Sequence, residues 1–265
     1  MKIKTLVAAI ALAAVTSGAN AAIVQNSSGT DGELFLTVFD EAGQQSYALD
    51  LGFTVNQMTA DSTSARSYDL TAIDSNFTGF AGNTHLRYTV TGANTEVGSS
   101  RRGTTTQFGF MTTTSGTVEQ VQAAAGAQQQ DATGVVNNIN NMARNSNASA
   151  GTPYDGTNGG INLSNVALIG EIGYYADASW GDTIGNRGIV ASNTVDNAMT
   201  MYTVRVNNAD SGGAMLIDAL GSWLLTSTGQ LTYTNAPSAV PVPAAVWLFG
   251  SGLIGLAGIA RRKKV

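Results

Sequence analysis

The run Glu33-Leu34-Phe35-Leu36-Thr37-Val38-Phe39-Asp40 carries apolar side chains at odd and even positions alike. Successive side chains of an extended chain point to opposite faces, so such a run is apolar above and below. It reads as a strand in the middle of a sheet, covered on both sides. After a turn at Glu41-Ala42-Gly43-Gln44, residues Tyr47, Leu49, Leu51 and Phe53 alternate with smaller or polar ones, which predicts a second strand with one buried face. A hairpin is the natural connection between the two. Further strand-like runs lie at 85–92, 106–113, 163–176, 199–207, 214–226 and 229–235, each bounded by Gly, Asn or Ser clusters. With no helical pattern between most of them, these runs predict a mainly β chain, an antiparallel β-sandwich or barrel-like domain over 22–236.

One stretch departs from period two. Across 117–144, residues Val118, Val121, Ala125, Gln128, Ala132, Val135, Ile139 and Met142 are spaced by threes and fours, which marks one face of a helix. Thr117 and Gln120 have the spacing of a capping box, and Gly126 or Gly134 could break the helix in two. Its ordinary role would be a lid on an open sheet face; a partner-binding face is the alternative.

Both ends of the chain read as addresses. Lys2 and Lys4 precede an apolar stretch from Leu6 to Val15 and an A-x-A site at Ala19-Asn20-Ala21, the layout of a secretory leader, 1–21, cut before Ala22. At the other end, Val240-Pro241-Val242-Pro243 precedes the uncharged residues 244–260 and the cations Arg261, Arg262, Lys263 and Lys264. Those 17 residues would make a helix of about 26 Å, just short of a hydrocarbon core of about 30 Å. Four terminal cations favour the cytoplasmic side and place the body across the membrane. Prolines at 241 and 243 keep the approach extended and unpaired, as a protease requires of its substrate.

This tripartite tail, 237–265, resembles the PEP-CTERM sorting signal of Gram-negative secreted proteins, in its Val-Pro-x-Pro-Ala variety; the likeness runs through Trp247-Leu-Phe-Gly-Ser-Gly252. The resemblance implies signal peptidase and an exosortase-like membrane protease as partners. It also implies transient anchoring in the inner membrane, then release to the cell surface or an exopolysaccharide-rich extracellular matrix or biofilm. Val242 stands where the type motif has Glu, which bears on the exosortase subtype. Gly32 to Asp40, Ser46 to Gly52 and Gly221 to Tyr233 are loosely similar to other proteins with such tails, a group with no defined chemistry.

Between the two addresses the body holds all 18 acids and 7 of the 13 cations, with no lysine, for a formal charge of −11. Such a surface repels nucleic acid and anionic lipid. The absence of cysteine excludes disulfides, thiol nucleophiles and thiolate metal sites. His85 is the sole histidine and would share a strand face with Arg87; a triad needs Ser and Asp partners that no spacing nominates. Asp155-Gly-Thr-Asn-Gly-Gly160 is the nearest approach to a calcium loop and reads more simply as a turn. Arg101-Arg102-Gly103 reads as an exposed turn.

Two carboxylates could support glycoside hydrolysis, but 18 acids make a close pair unremarkable. Trp180, Trp223, Tyr174 and Tyr175 could form a sugar platform, with core packing the competing fate. Asn26, Asn76, Asn147 and Asn162 begin N-x-Ser/Thr triplets of the kind that composition alone produces. The expectation is therefore an exported, non-enzymatic surface or matrix protein without cofactor or metal. A carbohydrate-binding adhesin and a secreted carbohydrate-active hydrolase are the alternatives. Facing carboxylates in a cleft would mark the hydrolase, and an exposed aromatic row the adhesin.

Overall fold

The computed structural model describes residues 23, 31–94, 109–125, 129–149, 164–174, 191–206 and 215–235. Their strands are β1 (Glu33–Asp40), β2 (Gln45–Thr54), β3 (Arg66–Asp69), β4 (Arg87–Asn94), β5 (Gly109–Thr114), β6 (Ser164–Leu168), β7 (Asn193–Thr194), β8 (Met199–Val206), β9 (Met215–Leu225) and β10 (Gln230–Asn235). The helices are α1 (Val55–Ala60), α2 (Leu70–Ile73), α3 (Val118–Ala125) and α4 (Gln129–Ser149), with a 3-10 turn at Ser75–Gly79. All the strands join one antiparallel sheet, in the order β3-β10-β9-β8-β5-β4-β1-β2-β6, with β7 paired to β4. A two-sheet sandwich does not form among them; the barrel-like alternative is the one adopted, as a curled half-barrel.

Side-chain contacts across the sheet measure its curl. Between β2 and β9 stand β1, β4, β5 and β8, so in a flat sheet they would lie about 24 Å apart. Yet Phe53 of β2 stacks on Trp223 of β9 at 6.4 Å between centroids. The Arg66 guanidinium of the edge strand β3 lies 4.3 Å from the Phe53 ring. The two ends of the sheet thus meet through side chains. A strap completes the closure: Leu70 N donates to Gly229 O at 2.9 Å, while beyond α2 the Tyr47 hydroxyl donates to Asp74 Oδ2 at 2.7 Å and Asn76 Nδ2 to Ser164 Oγ at 2.8 Å.

Alternation along β1 divides the core. Leu34, Leu36 and Val38 point into the curl, where they join Tyr47, Leu49, Val90, Met111, Trp223 and Leu231. Phe35 and Phe39 face outward and are covered, with Ala93 and Phe110, by Val135, Val136, Ile139, Met142 and Ala143 of α4. β1 therefore lies between β2 and β4, apolar on both faces, as its sequence requires. The helical stretch is a lid. Its described parts are α3, to Ala125, and α4, from Gln129; Gly126 lies outside the described residues, and Gly134 stays inside α4. The capping box forms, with Gln120 N donating to Thr117 Oγ1 at 3.4 Å and Thr117 N to Gln120 Oε1 at 2.9 Å. Val118, assigned to the buried face, is 39% exposed at the helix start.

The eight candidate runs each contain a strand, with shifted limits. The run 85–92 begins two residues late, because Asn83 Oδ1 accepts from His85 N and holds a turn there. The run 163–176 ends at Leu168, where Glu171 Oε2 accepts the Leu168 N–H and Gly170 takes φ +87°. Between β2 and β4 the short helices break the expected helix-free succession. Among the described residues no helix is long and apolar enough to cross a membrane. The span 244–260, the leader 1–21 and the tail 237–265 lie outside those residues.

Candidate functional site

The chemistry-bearing groups that the fold brings together are the carboxyls of Glu33 and Asp50. Pairing of β1 with β2 slips between Glu33 and Phe35, so that Glu33 opposes Thr54 while Phe35 opposes Asp50. Gly52, inside this bulge, takes φ +73°, a conformation that costs glycine little. Its N–H donates to Asp50 Oδ1 at 2.8 Å. Asp50 is 0% and Glu33 3% exposed. Burial first, then the negative charge of Glu33, pushes the Asp50 carboxyl well above the ordinary range, against the Gly52 N–H.

The second oxygen of Asp50 has no donor among the described residues. The upward shift beside Glu33 favours the protonated form of the Asp50 carboxyl. Beside this pair the Asn56 N–H donates to the Asp31 carboxylate at 3.2 and 3.1 Å, and Asn94 Nδ2 to Asn56 Oδ1 at 3.0 Å. No group of three metal-ligating side chains occurs among the described residues. A sealed pair cannot flank a sugar: neither carboxyl is reachable by a glycosidic oxygen in this conformation.

The sign of the titration follows from the upward shift. The folded protein holds the Asp50 proton more tightly than the unfolded chain does. Its stabilisation is complete below about pH 4, the unfolded value, and is lost as pH rises through the folded value. Asp50→Asn keeps an oxygen for Gly52 N–H and offers Glu33 a permanent donor. We expect the variant to gain about 1–3 kcal/mol at neutral pH and little near pH 4. Urea midpoints at both pH values check this; a variant weaker than the parent at neutral pH would show that the Asp50 charge is wanted. Asp69 and Glu119, whose carboxyls are held low chiefly by hydrogen bonds from Thr71 and Thr117, act in the opposite sense and below about pH 4.

The other nominated residues do not converge. His85 is exposed in the turn before β4, whereas Arg87, on β4, donates from Nε to Ser192 Oγ at 3.1 Å. Trp223 is 0% exposed, packed between Phe53, Tyr68 and Tyr233. Tyr174 is buried edge-on against Phe39 at 5.9 Å. No aromatic platform can be assembled from these two. Asn76 is exposed, but Asn147 is buried with its amide engaged, so in the folded chain it is no glycan acceptor. Ala19, Ala21, Asn26, Arg101–Gly103, Asp155–Gly160, Asn162, Tyr175, Trp180, Val240, Pro241, Val242, Pro243, Arg261, Arg262, Lys263 and Lys264 lie outside the described residues.

Asn147 holds a contact that no local pattern announces. Ile23, at the start of the body, is buried among Phe35, Val135 and Ile139, and its N–H donates to Asn147 Oδ1 at 2.9 Å. Asn147 Nδ2 donates back to the Ile23 carbonyl, also at 2.9 Å. One amide on α4 therefore saturates both backbone groups of a residue 124 positions earlier. In comparisons with protein families, curated proteins and solved structures, no match to the chain was found.

Proposed function

We propose that the chain is an exported surface or extracellular-matrix protein of a Gram-negative bacterium, without catalytic activity. On this reading signal peptidase removes 1–21, and residues 244–260 hold the chain in the inner membrane. An exosortase-like protease then recognises Val240-Pro241-Val242-Pro243 and frees the body into an exopolysaccharide-rich layer. One observation carries the reading, the fixed order of proline motif, short uncharged run and basic stop in 240–264. The body's charge of −11, from 7 cations and 18 acids, supports it by disfavouring nucleic acid and anionic membrane as ligands. Burial of Trp223 and of the Glu33–Asp50 pair adds support, since neither is offered to a saccharide.

Intact-mass measurement of the protein from the cell-surface fraction tests this. The mature chain should begin at Ala22 and lack Val265. Recovery of surface peptides containing Arg261 or Arg262 would instead make the helix a permanent anchor. With neutral and acidic polysaccharides the purified body should release no reducing ends. Release abolished by one Asp→Asn or Glu→Gln change would replace the reading by a hydrolase.

A further inference from the structure

The two edge strands of the sheet differ in chemistry. Sheet edges are commonly blunted against further pairing by shortness, charge or proline. β3 follows that rule: it has four residues, with Arg66 and Asp69 at its ends, and the Arg66 guanidinium is tied to Asp61 at 3.3 Å. β6 does not, because Ser164-Asn165-Val166-Ala167-Leu168 contains neither charge nor proline. Among the described residues no strand pairs with its outer side. Of the seven large apolar side chains exposed among those residues, four fall in or just after β6: Val166 (36%), Leu168 (52%), Ile169 and Ile172.

We propose that β6 is a docking edge for a second copy of this chain, whose own β6 adds antiparallel across a twofold axis at Val166. Ile169 N donates to Gln44 O, so alternation turns the backbone groups of Ser164, Val166 and Leu168 away from β2. About that axis Val166 meets Val166 and Ser164 meets Leu168, each pair exchanging N–H and carbonyl bonds. Every opposed pair is uncharged, and Val166 and Leu168 of both copies close on one face. This self-complementarity selects the occupant. The body's formal charge of −11 makes two copies repel elsewhere and draws a cationic partner to the acids, so copies meet most easily where neither carries charge. One existing bond is exchanged: Glu171 Oε2 holds the Leu168 N–H at 2.7 Å and yields it to Ser164 of the second copy. A contact built on one strand of five residues falls below about 1,200 Å², so the pair is a weak one that forms where the chain is concentrated.

The chain has no cysteine, so a single introduced thiol reports the contact. Full-length Val166→Cys and His85→Cys chains are held in detergent at about 100 μM, a concentration suited to weak pairs, and mildly oxidised. Opposed, hydrogen-bonded residues have Cα atoms about 5.5 Å apart, within disulfide reach. The Val166→Cys chain should form disulfide dimer about tenfold faster than the His85→Cys chain, the gain of a held contact over a chance encounter. Adding Leu168→Lys to the Val166→Cys chain should bring its rate down to that of His85→Cys; Ser164→Lys serves the same purpose if circular dichroism shows that the first variant does not fold. Equal rates for the two single thiols would overturn the proposal and mean that the edge is covered within the chain. Fast dimer formation that the added lysine leaves unchanged would also overturn it, by placing the contact between copies elsewhere.

Discussion

Trp223→Ala should cost the folded body about 3–5 kcal/mol, a large share of the about 5–15 kcal/mol that holds a domain together. Trp223 is fully buried on β9, with Tyr233 at 5.2 Å and Phe53 and Tyr68 each at 6.4 Å. Those rings come from β10, β2 and β3, so removing the indole empties the seam where the ends of the curled sheet meet. Gly221 makes room for this packing, since a Cβ there would strike the Tyr233 ring and the Thr234 carbonyl oxygen. The indole N–H has no acceptor among the described residues. Trp223→Phe, which loses ring area but also an unsatisfied donor, should therefore cost distinctly less. Urea unfolding of the body, with an unchanged m-value, checks both; a loss below about 1 kcal/mol for the alanine variant would mean that the seam does not depend on Trp223.

Thr113→Val should rank next, although it replaces one atom in a nearly isosteric side chain. β4 pairs with β5 through Thr91 to Asn94 and with β7 at Arg87 and Tyr88, so the sheet forks between these sets. At the fork the Thr113 hydroxyl accepts from Val90 N at 2.9 Å, shares a 3.1 Å bond with Thr89 Oγ1, and donates to Ala191 O at 3.3 Å. A hydroxyl has one donor and two acceptor positions, and all are used. Valine would leave the Val90 N–H and the Ala191 carbonyl buried without these partners, at about 1–3 kcal/mol each. Thr113→Ser keeps the hydroxyl and loses a methyl, worth about 0.8 kcal/mol. Hydrogen exchange at the Val90 amide should accelerate in the valine variant alone; unchanged protection would place the support of the fork elsewhere.

The acid pair shows why a site can escape a correct strand assignment. Asp50 sits between Leu49 and Leu51, and alternation sends it to the face opposite those leucines. Period two tells which residues share a face, but not whether that face meets water. Only the bulge at Gly52 and the placing of Glu33 bury it beside a second acid. The first helix was within reach of sequence reasoning and was missed: Thr54 and Gln57 form the same reciprocal box as Thr117 and Gln120. Asp69 and Asp74 likewise cap the two turns that follow.

By itself the sequence determined what local periodicity can encode. It set a central strand apolar on both faces at 33–40, a hairpin, further strands and a capped helix, and it carries a proline-marked stretch at 240–243 before the uncharged run 244–260. Tertiary structure alone decided what covers each face and which strands adjoin. β3 (Arg66–Asp69) and β7 (Asn193–Thr194) lack an apolar alternation, and they are strands because β10 and β4 pair with them. Single-sheet curl, the Thr113 fork, the buried Glu33–Asp50 pair and the Ile23–Asn147 amide pair all join residues distant in sequence. A hydrogen bond or a stacked ring needs a partner at a few ångströms, and a one-dimensional pattern carries no record of where the chain returns.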